Sequence, residues 1–158
     1  IARLAEDPGA EVLLCVSKPP SPEVAERVLR ALAATGKPAA ACMVGGGVGP
    51  APGVALHDTL EGAALAAARM AGRQAEPPPP VRAEWVSPSA VRGLFSGGTR
   101  CSEAAAILAD ALGDVASNAP AGRARPLSGR PEGHACLDLG EEEFTRGRPH
   151  PMIDPQAR

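Results

Sequence analysis

The chain has 158 residues, enough for one medium domain or for parts of two. Its aromatic share is only 2%, so a buried core must be built from Ala, Val, Leu and Ile. The net charge of −2 argues against a broad basic face for nucleic acid, and no apolar run approaches the ~18 residues of a membrane span. We therefore expect a cytoplasmic protein with neither a nucleic-acid nor a membrane partner.

The first part of the sequence alternates short apolar runs with helical patterns. The run at 11–16 predicts a strand buried on both faces, and Ser21 with Pro22 behind it predicts the start of a helix that ends near Gly36. Further elements follow in order: a buried strand at 39–44, a glycine-rich loop at 45–53, a strand at 54–56 and a helix capped by Asp58 or Thr59 that ends near Met70. This order favours an α/β fold with a flavodoxin-like parallel sheet.

Four consecutive prolines mark a boundary after these elements. A stretch with this composition forms neither a helix nor a central strand, so we interpret residues 72–90 as a linker. Residues 1–71 are then the end of one α/β domain, and 91–158 the truncated start of a second, similar one. In that second part the sequence predicts a strand at 91–95, a helix at 102–112, a mobile polar loop at 119–133 and a strand at 134–139.

The sharpest local feature is GLFSGGT at 93–99, where a strand leads through a Gly-Gly turn into a helix. Glycines let a ligand approach the backbone, and the free N–H groups of a helix start favour an anion. Ser96, Gly97, Gly98 and Thr99 are therefore candidates for binding a phosphate or another anion. The alternative is a tight strand-to-helix turn with no ligand.

A second candidate region directly follows the strand at 134–139. In open α/β sheets ligands bind beyond the carboxyl ends of the strands, which is where this polar loop lies. Asp138 and Glu141 are candidates for a divalent metal, Arg146 and Arg148 for a phosphate or carboxylate, and His150 is the candidate for catalysis. The alternative is a solvated loop whose charges neutralise one another.

Two other residue sets suit structural roles better. His57 is placed to be a nucleophile, but a lone His beside Asp58 is more typical of a helix start or of the surface. The four cysteines are widely spaced and form no C-x-x-C pair, which favours buried, reduced thiols over a zinc site. No metal site is therefore expected from them.

The sequence resembles a known family along nearly its whole length. The run AEDPGAEVLLCV at 5–16, followed by a helix, GKP at 36–38 and a strand ending in Gly45, resembles the ligase domain of the succinyl-CoA synthetase α subunit. SKPPSPEVA at 17–25, GLFSGGT at 93–99 and the stretch from DLG at 138–140 to FTRGRPHPMIDP at 144–155 resemble the FdrA family more closely. FdrA proteins look like an α-type half followed by a β-type half, and this sequence would span their junction.

The resemblance implies an acyl-CoA synthetase-like ligase that uses CoA, ATP and Mg²⁺. In the synthetases a phosphohistidine lies in a Gly-His-Ala-Gly loop after the second strand of this region, but residues 45–53 contain no His. FdrA relatives are also linked to purine catabolism, as part of an oxamate carbamoyltransferase that breaks down allantoin. The resemblance thus leaves open a ligase, a carbamoyltransferase subunit using carbamoyl phosphate, or a non-catalytic scaffold. In each case the expected partners are a phosphate-bearing small molecule and other subunits of a catabolic complex.

Overall fold

The computed structural model describes residues 1–80, 89–150 and 153. The chain divides into two compact units, Ile1–Arg82 and Ala83–Arg158, each with its own sheet. The predicted linker at 72–90 includes residues 81–88, which lie outside the described residues. Among the described helices, none combines the length and the apolar character that crossing a membrane requires.

The first unit is an α/β unit with a three-stranded parallel sheet in the order β1-β2-β3, as the alternation of apolar runs predicts. Its elements are α1 Ala2–Glu6, β1 Leu13–Ser17, α2 Pro22–Ala33, β2 Ala39–Met43, β3 Val54–His57 and α3 Leu60–Met70. The central strand β2 is buried along its whole length, and its small side chains let helices lie close to the sheet.

Local signals in the sequence set the limits of the two longer helices of this unit. Ser21 caps α2, its Oγ accepting a hydrogen bond from the Val24 amide at 3.4 Å, and Pro22 occupies the first helical position. Thr59, one of the two predicted caps, caps α3 by accepting from the Gly62 amide at 3.2 Å. Leu29 and Leu32 of α2 pack into a core with Met43, while α3 packs against all three strands.

The second unit has a four-stranded sheet in the order β4-β7-β5-β6, and all its neighbouring strands are parallel. Its elements are β4 Arg92–Phe95, α4 Gly98–Leu112, β5 Val115–Ser117, β6 Arg125–Pro126, β7 His134–Asp138 and α5 Glu142–Thr145. The helix α4 covers β4, β7 and β5, with Cys101, Ala105 and Ala109 facing Cys136 and Val115 in the core. The predicted α/β class with parallel sheets is confirmed in both units.

Two predictions for the second unit are wrong in detail, and one of its strands was not predicted. The helix begins at Gly98 rather than at Ser102, because the glycines predicted as a turn provide its N-cap and its first residue. The strand β5 was not predicted, since three small residues between two glycine-rich or polar stretches give almost no strand signal. The loop predicted as mobile at 119–133 contains β6 and two buried residues, Ala119 and Ala121.

Candidate functional site at the strand ends of the second unit

The carboxyl ends of β4, β7 and β5 lie side by side in the sheet. Phe95, the last residue of β4, is in register with Asp138, the last residue of β7, and its carbonyl accepts a 2.7 Å hydrogen bond from the Leu139 amide. Asn118 directly follows β5, the other neighbour of β7. The two segments that carry the sequence candidates, 93–99 and 138–150, therefore meet at adjacent strand ends. This is the edge at which open parallel sheets bind their ligands.

The start of α4 has the local features of an anion site. Gly97 is its N-cap in an extended conformation (φ −167°, ψ 129°) and supplies no side-chain hydrogen bond to the helix. No acidic residue occupies the first turn of α4, which contains Arg100. The partial positive charge of the helix start is thus not neutralised by its own first turn. Residues 94–100 line an open depression with a volume of about 430 Å³ in front of it.

The two glycines at this turn differ from the glycines of the sharp turns elsewhere in the chain. Neither Gly97 nor Gly98 has a positive φ, so the backbone conformation itself does not demand glycine there. A Cβ added to Gly97 would meet no atom within 4 Å. The missing side chain therefore leaves open space at the N-cap, which is the space a bound anion would need.

Arg100 brings a partly compensated positive charge to the depression. Its Nη1 lies 3.5 Å from Oε2 of Glu103, one turn further along α4. The Arg100 side chain is 75% exposed, whereas that of Glu103 is 11% exposed. Because the guanidinium lies in solvent and its contact with Glu103 is long, Arg100 can turn toward an anion at small cost.

Asp138 is a buried carboxylate at the end of the central part of the sheet. The residue is 3% exposed, and its Oδ1 accepts a 2.9 Å hydrogen bond from the Gly140 amide. Its backbone is held by Asn118, which donates to the Asp138 carbonyl at 2.9 Å and accepts from the Asp138 amide at 2.8 Å. The Gly140 amide thus holds the Asp138 carboxylate, while Asn118 holds the Asp138 backbone.

His150 follows α5 in the chain and lies close to Gly140, just after the end of β7. A Cβ placed on Gly140 would lie 2.6 Å from Nε2 and 3.0 Å from Cε1 of His150, and 3.1 Å from Oδ1 of Asp138. The imidazole therefore rests directly on the Gly140 backbone, next to the buried carboxylate. The structure thus brings Asp138 and His150 together, which their separation in the sequence does not reveal.

The other predicted site residues lie further out. Arg146 pairs with Glu142 at 2.9 Å within α5, and both side chains are about four-fifths exposed, at 79% and 81%. Arg148 is exposed, and Glu141 is the N-cap of α5. Within the described part of the chain no group of three or more His, Cys, Asp or Glu side chains is arranged to hold a metal ion. The residues Pro151, Met152, Asp154 and Pro155 of the same motif lie outside the described residues.

The first unit has a glycine-rich loop at the end of β2. Gly45, Gly46 and Gly47 all have positive φ angles, between 69° and 82°, which only glycine adopts readily. The Asp58 carboxylate lies against Gly46, 3.2 Å from where a Cβ would be. The His57 ring packs on Gly62, with Nδ1 at 3.0 Å from the corresponding position. His57 thus occupies the packed start of α3, in keeping with a structural role.

Asn118 is the site residue that sequence reasoning missed. Its role depends on β5, whose three small residues were not predicted to form a strand. Once β5 is known, the position of Asn118 directly after a buried strand indicates its role. Asn side chains at such positions often form hydrogen bonds with nearby backbone groups.

Together, the parallel sheets and the strand-end site define an α/β protein of the flavodoxin-like type. No family model matches the sequence. The chain is similar to a curated protein of Escherichia coli, the Uncharacterized protein YahF, with 36% identity over 174 aligned residues. The alignment covers all of this chain and 34% of YahF, so the chain spans about a third of the length of this relative.

Proposed function

We propose that the chain belongs to an FdrA-type, acyl-CoA synthetase-like protein of the cytoplasm that binds a phosphate-bearing substrate or nucleotide at the start of α4. The observation that carries this proposal is the N-terminus of α4, which has no side-chain cap and no acidic residue in its first turn and opens onto a depression at the carboxyl end of a parallel strand. Backbone N–H groups and the helix dipole both favour a phosphate at such a position.

The position of the family-like motifs supports the same proposal. GLFSGGT at 93–99 forms the end of β4 and the start of α4, while the stretch from Asp138 to His150 follows the neighbouring strand β7. Two motifs that are far apart in the sequence therefore meet at one edge of the sheet. A ligand bound at this edge could therefore contact both segments. In this proposal the first unit is the end of an α-type half and the second unit the start of a β-type half.

The proposed cofactors fit the site to different degrees. The phosphates of ATP or CoA suit Ser96, Gly97, Gly98 and Thr99, which provide backbone amides and two hydroxyl groups. Mg²⁺ would normally be held by one or two carboxylates together with phosphate and water. Asp138 already bonds to the Gly140 amide, and Glu141 begins α5 on the surface. We therefore assign no step of the reaction to Mg²⁺.

The loop after β2 supports a second candidate, a carbamoyltransferase subunit. Residues 45–53 contain no His, and three glycines with positive φ occupy the start of this loop. The His57 ring is packed on Gly62 at the start of α3. A phosphohistidine is therefore not part of the proposal, whereas transfer from an acyl or carbamoyl phosphate would need only the anion site.

One assay separates these functions from a non-catalytic scaffold. The full-length protein, together with the products of its neighbouring genes, is incubated with ATP, CoA and carboxylic acids, and in parallel with carbamoyl compounds and phosphate. Thioester formation that depends on ATP and CoA supports the ligase. Formation of carbamoyl phosphate without CoA supports the carbamoyltransferase subunit. A protein that binds none of these phosphate compounds and catalyses neither reaction contradicts the proposal.

A further inference from the structure

We propose that the outer edge of β1 is an interaction surface, and that its partner is a further parallel strand from the part of the full-length protein that leads into α1. Such a strand extends the sheet of the first unit beyond β1. The inference goes beyond the proposed function, because it assigns a partner to a surface outside the strand-end site. It stands whether or not the second unit binds a phosphate compound.

The first argument is the incomplete cover of the β1 side chains. Leu13 and Cys15 pack into the core with α2, so Leu14 and Val16 point to the opposite face of the sheet, where α3 lies. Their register partners on β2 are 0% exposed, whereas Leu14 and Val16 are 47% and 46% exposed. Parallel sheets are normally covered on both faces. The half-exposed apolar side chains therefore indicate a surface that a partner covers.

The second argument is the open side of the β1 backbone. The Leu13 amide donates to the Pro38 carbonyl at 2.9 Å, and the register of the two strands directs the backbone groups of Cys15 toward β2 in the same way. Backbone groups alternate in direction along a strand, so the amides and carbonyls of Leu14 and Val16 point away from β2. Within the described residues no strand lies on that side. An apolar edge of this kind is a template for pairing with another strand.

The third argument is the path of the chain through α1. This helix leads into β1 and lies beside α2, since Ile1 lines one depression together with Val24 and Val28. Connections between parallel strands are nearly always right-handed. The connection through α2 runs from β1 toward β2 with its helix on this face of the sheet. A strand that enters α1 on the same face therefore lies on the outer side of β1, where the sheet is open.

The opposite edge of this sheet lacks these features. Val54 of β3 is buried and the other β3 residues are half-buried, so none of them is among the exposed large apolar residues. On the face of the sheet that α2 covers, by contrast, Ile1 and Val24 are as exposed as the two β1 side chains. Apolar exposure on both faces fits an added strand with its own packing above and below. A partner that lies flat on one face would leave the other uncovered.

Two observations favour a strand of the same protein over a second copy of the chain. All neighbouring strands of this sheet are parallel, whereas a two-fold related copy would pair its own β1 in the antiparallel direction. The aligned region covers 34% of YahF, so a relative of that length has ample chain for further strands. The occupant assigned to the edge is therefore part of the same polypeptide.

Residue-resolved hydrogen exchange of the full-length protein tests whether the edge is paired. The amides of Leu13 and Cys15 bond to β2 and serve as the internal reference, while those of Leu14 and Val16 point outward. The outward amides are expected to exchange at rates within about tenfold of the reference amides, because a neighbouring strand bonds them. If β1 is a free edge, they exchange about a hundredfold faster or more, and the inference is overturned.

Photo-cross-linking identifies the occupant. A diazirine analogue of leucine is encoded in place of Leu14 in the full-length protein and, as the control, in place of Glu61, an exposed residue in the first turn of α3. At position 14 we expect a product with the mass of a single chain on a denaturing gel, whose cross-linked peptide precedes α1. A product of twice the chain mass assigns the edge to a second copy. Cross-linking no greater than at position 61 leaves the edge uncovered, and either result overturns the inference.

Discussion

The Asn118 side chain is bonded to both backbone polar groups of Asp138, donating to its carbonyl at 2.9 Å and accepting from its amide at 2.8 Å. The ladder between β5 and β7 ends with the pair Ser117 and Cys136. Asn118 thus continues the pairing of the two strands beyond their last backbone partners. The residue that Asn118 holds in this way, Asp138, carries the buried carboxylate of the candidate site.

Replacing Asn118 should therefore destabilise the second unit. Asn118→Ala removes both hydrogen bonds to the backbone of the buried Asp138, together with a 3.4 Å bond to Oε1 of Glu143. Leaving the Asp138 amide and carbonyl without these partners should lower the free energy of unfolding by about 1–3 kcal/mol. Urea unfolding of the full-length protein measures this change. Ser128→Ala, at an exposed loop position, is the matched control. Equal stability of the two variants would show that the Asn118 bonds contribute nothing net.

Two serine hydroxyl groups form hydrogen bonds with the backbone of Ala119, the residue after Asn118. The Ala119 amide donates to Ser117 Oγ at 3.0 Å, and the Ala119 carbonyl accepts from Ser102 Oγ at 2.9 Å. Ser102 is 1% exposed on α4, so Ser102→Ala should leave a buried carbonyl unpaired and cost about 1–3 kcal/mol. Thermal unfolding, again compared with Ser128→Ala, checks this. No shift in the unfolding midpoint would argue that water replaces the Ser102 hydroxyl.

The edge strand β6 is tied to the unit by an ion pair that responds to pH. Arg125 bonds to both carboxylate oxygens of Asp114, and this hydrogen bond holds the pKa of Asp114 below its ordinary value. A lowered carboxyl pKa contributes stability above about pH 4, and this contribution is lost as the pH falls through the pKa of the folded state. The contribution is small because both groups are exposed.

Arg125→Gln tests this linkage. The variant should be slightly less stable than the wild type at neutral pH. The difference should shrink as the pH falls through the lowered pKa of Asp114, and it should disappear once this carboxyl is protonated in both the folded and the unfolded state. High salt should also reduce the difference. Urea unfolding at several pH values measures it. A difference that persists unchanged in strong acid would mean that Arg125 stabilises β6 through packing instead.

The cysteines should react slowly with alkylating reagents. Burial raises the pKa of both Cys15 and Cys136, so little thiolate forms at neutral pH, and Cys136 is 0% exposed. Iodoacetamide at about pH 8 should modify the two thiols many times more slowly in the folded protein than in urea, as peptide mass spectrometry can show. Rapid labelling of Cys136 under native conditions would indicate that the second unit opens frequently.

Much of the fold is predictable because its signals are local. Ser21 with Pro22, and Thr59 before an apolar helix, mark helix starts through side-chain geometry alone, and the buried run at β2 indicates a parallel sheet. The start of α4 was misplaced because a glycine N-cap has no side chain to act as a signal. The strand β5 was missed because its burial comes from α4 and β7, which are distant in the sequence.

The candidate site was only partly predictable for the same reason. The candidate anion-binding turn is contiguous in the sequence, so its glycines, Ser96 and Thr99 can be recognised as a set. The contact of His150 with Gly140 depends on turns at Gly147 and around Ile153, which no periodic pattern reveals. The bond of Asn118 to Asp138 depends on the order of strands in the sheet. Both relationships had to be read from the structure.

The most direct test of the central claim is calorimetric titration of the full-length protein with ATP, CoA and carbamoyl phosphate, using Gly97→Val and Gly133→Val as matched variants. A side chain at either position meets no protein atom within 4 Å, but only Gly97 lies at the start of α4. We predict that the wild type and Gly133→Val bind at least one of these ligands equally well. Gly97→Val should bind it at least tenfold more weakly, since each charge-assisted contact to an anion contributes about 1.5–3 kcal/mol. Unchanged affinity in Gly97→Val, or no binding of any of the three by the wild type, would contradict the account.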